Sequence, residues 1–187
     1  MFIVFEGIDG SGKSSVIARL KESLEASGKK VKVTAEPTDG DIGKYISKTD
    51  GLSPETEALL FTADRAMHTE QVVKWMDEGF VVLCDRYFAS TLAYQSAAGM
   101  DMDWLKAINS EVIIRPDITI LMDIDPEVSL KRVSQRGEMS RFEKLDYLKK
   151  VRQAYLDIGR EFDFKVVDAD RGRDTVANEV ISIVGGI

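Results

Sequence analysis

The sequence predicts an α/β protein, a three-layer α/β/α arrangement around a five-stranded parallel sheet. Three observations lead there. Apolar runs of strand length alternate with longer amphipathic stretches along the whole chain. Three of those runs, FIVFE, FVVLCD and ITILMDI, are almost continuously apolar, as strands covered on both faces are. A glycine-rich turn, EGIDGSGK, then joins the first strand directly to the first helical stretch.

The elements follow in order. FIVFE (2–6) opens the sheet, and a helical pattern runs from Lys13 to Ser27. VKVTAE (31–36) reads as the second strand, and no element is assigned to 37–52. A long helix is expected from Ser53 to Glu78, where Ser53-Pro54 supplies a capping oxygen and then a proline at the first helical position. FVVLCD (80–85) is followed by helical patterns over Tyr87–Ala97 and Asp101–Val112. ITILMDI (118–124) leads into Asp125-Pro126, a second cap of the same kind, and a helix to Arg136. Lys144–Glu161 is helical, FKVVDA (164–169) is the fifth strand, and Arg173–Val184 closes the fold.

A length of 187 residues fits a single domain spanning 1–187, and 44% apolar with 30% charged residues is a soluble globular balance. The formal net charge of −7 provides no basic field for nucleic acid or an anionic membrane, so neither is expected as a partner. No apolar run approaches the ~20 residues that span a bilayer. With one cysteine, Cys84, and no leader-like N-terminus, a cytoplasmic location is expected. Cys84, His68, Trp75 and Trp104 read as structural or surface residues.

Gly7, Gly12, Lys13 and Ser14 satisfy G-x-x-x-x-G-K-[ST] between a strand and a helix. Such a loop wraps nucleotide phosphates with backbone N–H groups. Its lysine reaches the β- and γ-phosphates, and its serine places a hydroxyl on Mg²⁺. A carboxylate for the metal's surroundings is expected at a neighbouring strand end. Asp85 and Asp123 compete, and Asp85 is favoured because Arg86 beside it suits a second phosphate. Phe61 and Arg65, four apart, share one helix face and could stack on a base and bond its edge, or Phe61 could simply pack in the core beside an exposed arginine. DRYFASTLAYQ (85–95) crowds Arg86, Ser90, Thr91, Tyr94 and Gln95 beyond a strand end, where a polar ligand could bind. In LKRVSQRGEMSRFE, Arg132, Arg136 and Arg141 lie about a helix end, where its dipole favours cations. A glycine-hinged segment at 136–143 also has the composition of a phosphoryl-transfer lid.

Taken together, FEGIDGSGKSS, EPTDGDIG, LLFTADR, DRYFASTLAYQ and RGEMSRFE make the chain resemble the thymidylate kinases. These are P-loop kinases that phosphorylate dTMP with ATP. The resemblance implies an ATP-binding loop of Gly7, Ile8, Asp9, Gly10, Ser11, Gly12, Lys13, Ser14 and Ser15. Asp9 would also meet the acceptor's 3′-hydroxyl. Glu36 and Pro37 would line the acceptor site, Phe61 would stack on thymine, and Arg65 would contact the base edge. Thr91 and Gln95 would lie near the base, and Tyr94 would crowd the 2′ position. Asp85 would sit by Mg²⁺, with Ser14, and Arg86 would bind the acceptor phosphate. Gly10 follows Asp9 where some members carry a basic residue, so the catalytic cation is expected from Arg136 and Arg141 in the lid. Ala35 and Thr91 depart from residues common in the family, arginine and asparagine. The implied assembly is a homodimer. The open alternatives are a kinase for another nucleoside or monophosphate, with Asp85 as base for a hydroxyl acceptor, and a nucleotide-hydrolysing switch.

Overall fold

The structure is a computed structural model, and it describes residues 1–134 and 145–186. Five strands, β1 (Phe2–Glu6), β2 (Lys30–Ala35), β3 (Phe80–Asp85), β4 (Ile118–Asp123) and β5 (Lys165–Asp168), form one sheet in the order β2-β3-β1-β4-β5. Every pairing is parallel. The helices are α1 (Lys13–Ala26), α2 (Asp41–Lys48), α3 (Pro54–Asp77), α4 (Phe88–Ala97), α5 (Met102–Ser110), α6 (Pro126–Ser134), α7 (Leu145–Glu161) and α8 (Arg173–Gly185). The expected α/β architecture and its five strands are therefore present.

The three apolar runs are the three central strands, and β1 is buried along its whole length. β2 and β5, with their lysines and partly exposed residues, take the two edges, where charge guards an unpaired backbone better than apolar surface. Both proline caps form. The Ser53 hydroxyl accepts from the Thr56 N–H at 3.2 Å, and the Asp125 carboxylate accepts from the Glu127 N–H at 2.8 Å.

One helix, α2, lies where no element was expected. Ile42 and Ile46 are four apart, and Ile46 turns inward, but a run of eight residues is too short for periodicity to stand out. α2 presses on the chain that follows β2: a β-carbon on Gly43 would start 2.0 Å from the Thr38 carbonyl oxygen. Thr38 is held from the other side by Asp64 of α3, which accepts from its N–H at 2.7 Å and its hydroxyl at 2.6 Å. The turn 36–40 is thus clamped between two helices.

Gly43→Ala is therefore expected to lower unfolding free energy by about 1–3 kcal/mol, since backbone rather than a flexible side chain must move. Urea unfolding measures it; a change within 0.5 kcal/mol would mean that α2 does not hold this turn.

Candidate active site

Parallel pairing sets three strand ends level. Phe5 and Ala35 each stand opposite Asp85. The ladder continues one residue further, with the Glu36 N–H donating to the Asp85 carbonyl at 3.0 Å and the Arg86 N–H to the Phe5 carbonyl at 2.8 Å. Residues 6, 36 and 86 thereby meet at the carboxyl edge of the sheet, where open α/β sheets bind ligands.

The loop between β1 and α1 has the form the motif demands. Gly12 caps α1 in the left-handed region (φ 93°), and no side chain caps the helix, so its first N–H groups face outward. Lys13 folds back over the loop, donating to the Gly7 and Ile8 carbonyls at 2.9 and 3.3 Å. Burial, and then the charge of Arg86, bring the Lys13 ammonium down to about 8, against the pull of Asp85, Asp9 and Glu6. The Ser14 hydroxyl lies 3.2 Å from one Asp85 oxygen. The other Asp85 oxygen is buried, has no hydrogen-bond partner among the described residues and stands 3.9 Å from Lys13. Asp123, the competing carboxylate, is occupied: Arg152 of α7 grips both its oxygens at 2.7 and 2.8 Å. Asp85 and Ser14 are the pair that fits a hard cation. Among the described residues no three His, Cys, Asp or Glu side chains are placed to hold a metal ion together, so most ligands of a Mg²⁺ ion there would be phosphate oxygens and water.

Beside the loop lies a cavity of about 200 Å³, lined by Asp9, Glu36, Pro37, Phe61, Arg65, Arg86, Tyr87, Ser90, Thr91, Tyr94 and Gln95. It gathers every residue the sequence named for an acceptor. Arg86 stands at the loop side. Its backbone takes φ 72°, a left-handed turn that costs a non-glycine residue on the order of 1–3 kcal/mol and re-aims the chain at the strand end. Its Nη2 donates to Asp9 at 2.5 Å, and its guanidinium lies 5.2 Å from the Tyr94 ring centre. Burial would raise the Asp9 carboxyl, but Arg86 and Lys13 together hold it below the usual carboxylate range.

Arg65 is neither exposed nor merely packed. It is 1% exposed and donates through Nε to Glu36 at 2.9 Å, through Nη1 to Asn109 at 2.6 Å and through Nη2 to Thr91 at 3.0 Å. The other Glu36 oxygen meets His68 Nδ1 at 2.9 Å, and His68 Nε2 meets the Thr34 hydroxyl at 2.8 Å. His68 is thus a buried structural residue, and Cys84, as expected, is buried in the core. Trp75 and Trp104 pack partly buried against the core. Gln95 donates to the buried Glu57 at 3.2 Å.

A second cavity, of about 330 Å³, adjoins the loop on its far side and is lined by Gly10, Ser11, Gly12, Ser15, Arg132 and residues 169–173. Arg132, read from sequence as a helix-end cation, spans it and donates to the Ala169 carbonyl at 3.0 Å. The Ser129 hydroxyl of α6 donates to the Asp9 carbonyl at 2.5 Å. Gly10, with φ 76°, packs so closely on α6 that a β-carbon would start 2.8 Å from the Ser129 carbonyl oxygen. Arg136 and Arg141 lie outside the described residues.

Sequence reasoning missed Asn109, Ser129, Tyr155 and the carboxylate of Glu6. Glu6 left one signal, an acidic residue closing an apolar strand just before the loop. Tyr155 left another, standing on the buried face of α7 with Leu148, Val151 and Ile158. Because Glu36 is the buried counter-charge of Arg65, Glu36→Gln is expected to cost about 3–5 kcal/mol of stability. Denaturant unfolding measures this; a cost under 1 kcal/mol would mean that Asn109 and Thr91 suffice for Arg65.

Comparison with known proteins agrees with this geometry. The family described as thymidylate kinase matches residues 5–180. A probable thymidylate kinase of Archaeoglobus fulgidus is 44% identical over 186 residues, covering 98% of this chain and 94% of that one. Probable thymidylate kinases of Pyrococcus horikoshii and Pyrobaculum aerophilum are 43% and 40% identical, each over 98% of this chain and 95% of their own. The glycine-rich loop, both cavities and the strand ends between them fall inside the matched span, and the chain belongs to the thymidylate kinase family.

Proposed function

We propose that the chain transfers the γ-phosphoryl group of ATP to a phosphate oxygen of dTMP, giving dTDP and ADP on the route to dTTP. One observation carries this reading. The apolar-walled cavity ends on Arg86, and Arg86 directly follows Asp85, whose carboxylate touches Ser14 of the phosphate loop. A monophosphate held by its base between Phe61 and Arg65 would present its phosphate to Arg86, beside the donor's γ-phosphate.

The nucleophile is a phosphate oxygen already ionised near neutral pH, so the reaction needs placement and charge rather than a general base. Lys13 would neutralise the donor's terminal phosphates, and Arg86 the acceptor phosphate. Ser14 and Asp85 would hold Mg²⁺, which when bound draws charge from the β- and γ-oxygens. Asp9 would take the sugar 3′-hydroxyl, and Tyr94, packed against Arg86, would leave no room for a 2′-hydroxyl. Thr91 and Gln95 would border the base, and Glu36 and Pro37 would close the cavity wall. Residues 7–15 would wrap the triphosphate, and the second cavity, with Arg132, would take the donor nucleoside.

The catalytic cation is assigned to Arg136 and Arg141, in a lid at about 136–143 of a single domain, 1–187. Close contact with α6 supports this, because it leaves residue 10 no space for a basic side chain. A cytoplasmic homodimer is the proposed state, without nucleic acid or membrane partners. Among the described residues no helix is long and apolar enough to cross a membrane, and α3 exposes Leu59, Met67 and Val73, which a second copy could cover.

ATP assayed against nucleosides and monophosphates is expected to give dTDP with the highest kcat/KM for dTMP. Preferential phosphorylation of thymidine, or hydrolysis of ATP indifferent to every acceptor, would overturn the reading. Arg141→Ala is expected to lower kcat by about 10²–10³ while dTMP affinity stays within a few-fold. Turnover near wild type would remove Arg141 from the lid role.

A further inference from the structure

Glu6 has no part in the mechanism above, yet it lies one hydroxyl away from Arg86. It closes β1 and is fully buried. Its Oε1 accepts from two backbone N–H groups at the start of α4, those of Tyr87 at 2.9 Å and Ser90 at 3.2 Å. Its Oε2 accepts from the Ser90 hydroxyl at 2.6 Å and the Tyr155 hydroxyl at 3.1 Å. The same two hydroxyl oxygens accept from Arg86 Nη1, at 3.2 and 3.4 Å.

Proton direction gives this arrangement its meaning. A hydroxyl has one hydrogen to donate and lone pairs to accept with. An ionised carboxylate only accepts, so Oε2 draws the hydroxyl hydrogens inward and leaves lone pairs facing the guanidinium. The two hydroxyls also lie 2.7 Å apart. Whether Tyr155 gives its hydrogen to Oε2 directly or by way of Ser90, the hydrogens point at Glu6. Put a donor where Oε2 stands, and a hydroxyl hydrogen must turn toward Arg86 instead. Burial pushes the Glu6 carboxyl up, while the Ser90 hydroxyl and the Arg86 charge oppose that rise.

We propose that Glu6 is a positioning residue: acting through the Ser90 and Tyr155 hydroxyls, it holds the inner edge of the Arg86 guanidinium so that Arg86 meets the acceptor phosphate. The other edge is held by Asp9 and, at 3.4 Å, by the Tyr94 hydroxyl. Glu6 touches no substrate. Its contribution is a direction of hydrogen bonding, set at the strand end and passed to α7. This rests on the assignment of Arg86 to the acceptor phosphate.

The experiment compares dissociation constants of dTMP and thymidine, which differ by the phosphate alone, for the wild-type chain and for Arg86→Met, Glu6→Gln and Tyr155→Phe. Glutamine keeps a carbonyl for the two backbone N–H groups and puts an NH₂ in place of Oε2. Tyr155→Phe removes one hydroxyl and no ring. Glu6→Gln and Tyr155→Phe are each expected to lower the preference for dTMP over thymidine about tenfold, with thymidine affinity little changed. A purely structural role would move both ligands together, or the melting temperature alone. If Arg86→Met abolishes the preference and the other two variants keep it, the inference is overturned. If Arg86→Met itself keeps the preference, the phosphate assignment fails first and the inference falls with it. Should Glu6→Gln not fold, Tyr155→Phe decides alone.

Discussion

The site depends on the register of β1, β2 and β3. Each pair is parallel, and Phe5, Ala35 and Asp85 stand level. Side chains alternate along a strand, so a slip of one residue in any pair would turn a required group to the opposite face. In register, Glu6, Glu36 and Arg86 emerge together, and each engages a different partner: the N-terminus of α4, the Arg65 guanidinium and the phosphate loop's Asp9. β1 and β3 have no polar residue until their last positions, and β4 has only Thr119 before its own. Their apolar runs can be buried only as the middle of the sheet.

Around those strand ends the protein gathers opposite charges in a largely buried volume. Glu6, Glu36, Asp9 and Asp85 face Lys13, Arg65 and Arg86, and none of the three cations relies on one partner. Burying charge is expensive, and unpaired it would not persist. Here the expense secures geometry. Arg65 has donors committed to Glu36, Asn109 and Thr91, so it cannot swing, and the left-handed turn at Arg86 is held by its N–H bond to Phe5. A phosphoryl transfer with little covalent work for the protein gains most from such fixed charge, because nothing has to reorganise when the phosphoryl group moves.

What the sequence disclosed and what it hid divide along physical lines. The sheet was legible because central parallel strands are continuously apolar, and the phosphate loop because backbone wrapping demands glycines at set intervals. Asp85 could be separated from Asp123 only by their neighbours, since the grip of Arg152 on Asp123 comes from 29 residues further along the chain. Asn109 and Tyr155 were hidden because each sits on the inner face of an amphipathic helix, where an amide or phenol among apolar residues looks like ordinary packing. Glu6 was hidden differently. An acid at a strand end reads as solvated until the elements stacked over it are known, and α4 and α7 come from far along the chain. Gly10 was read as a missing cation, and the reason for its size, the backbone of α6, has no local signature at all.

The two helices on either side of residues 135–144 carry the argument one step further. α6 is tied to the phosphate loop through Ser129 and Gly10, and to the turn after β5 through Arg132. α7 is tied to β4 through Arg152, to the first cavity's wall where the Tyr147 hydroxyl donates to the Tyr94 carbonyl at 2.7 Å, and to Arg86 through Tyr155. The two described helices that flank residues 135–144 are thus each anchored at the site, α6 beside the phosphate loop and α7 beside the first cavity. Tyr155 then belongs to two tasks at once. It completes the hydrogen-bond direction set by Glu6, and it places α7 against the Arg86 guanidinium. Orientation of Arg86 and placement of α7 are one packing problem, solved on one face of that helix.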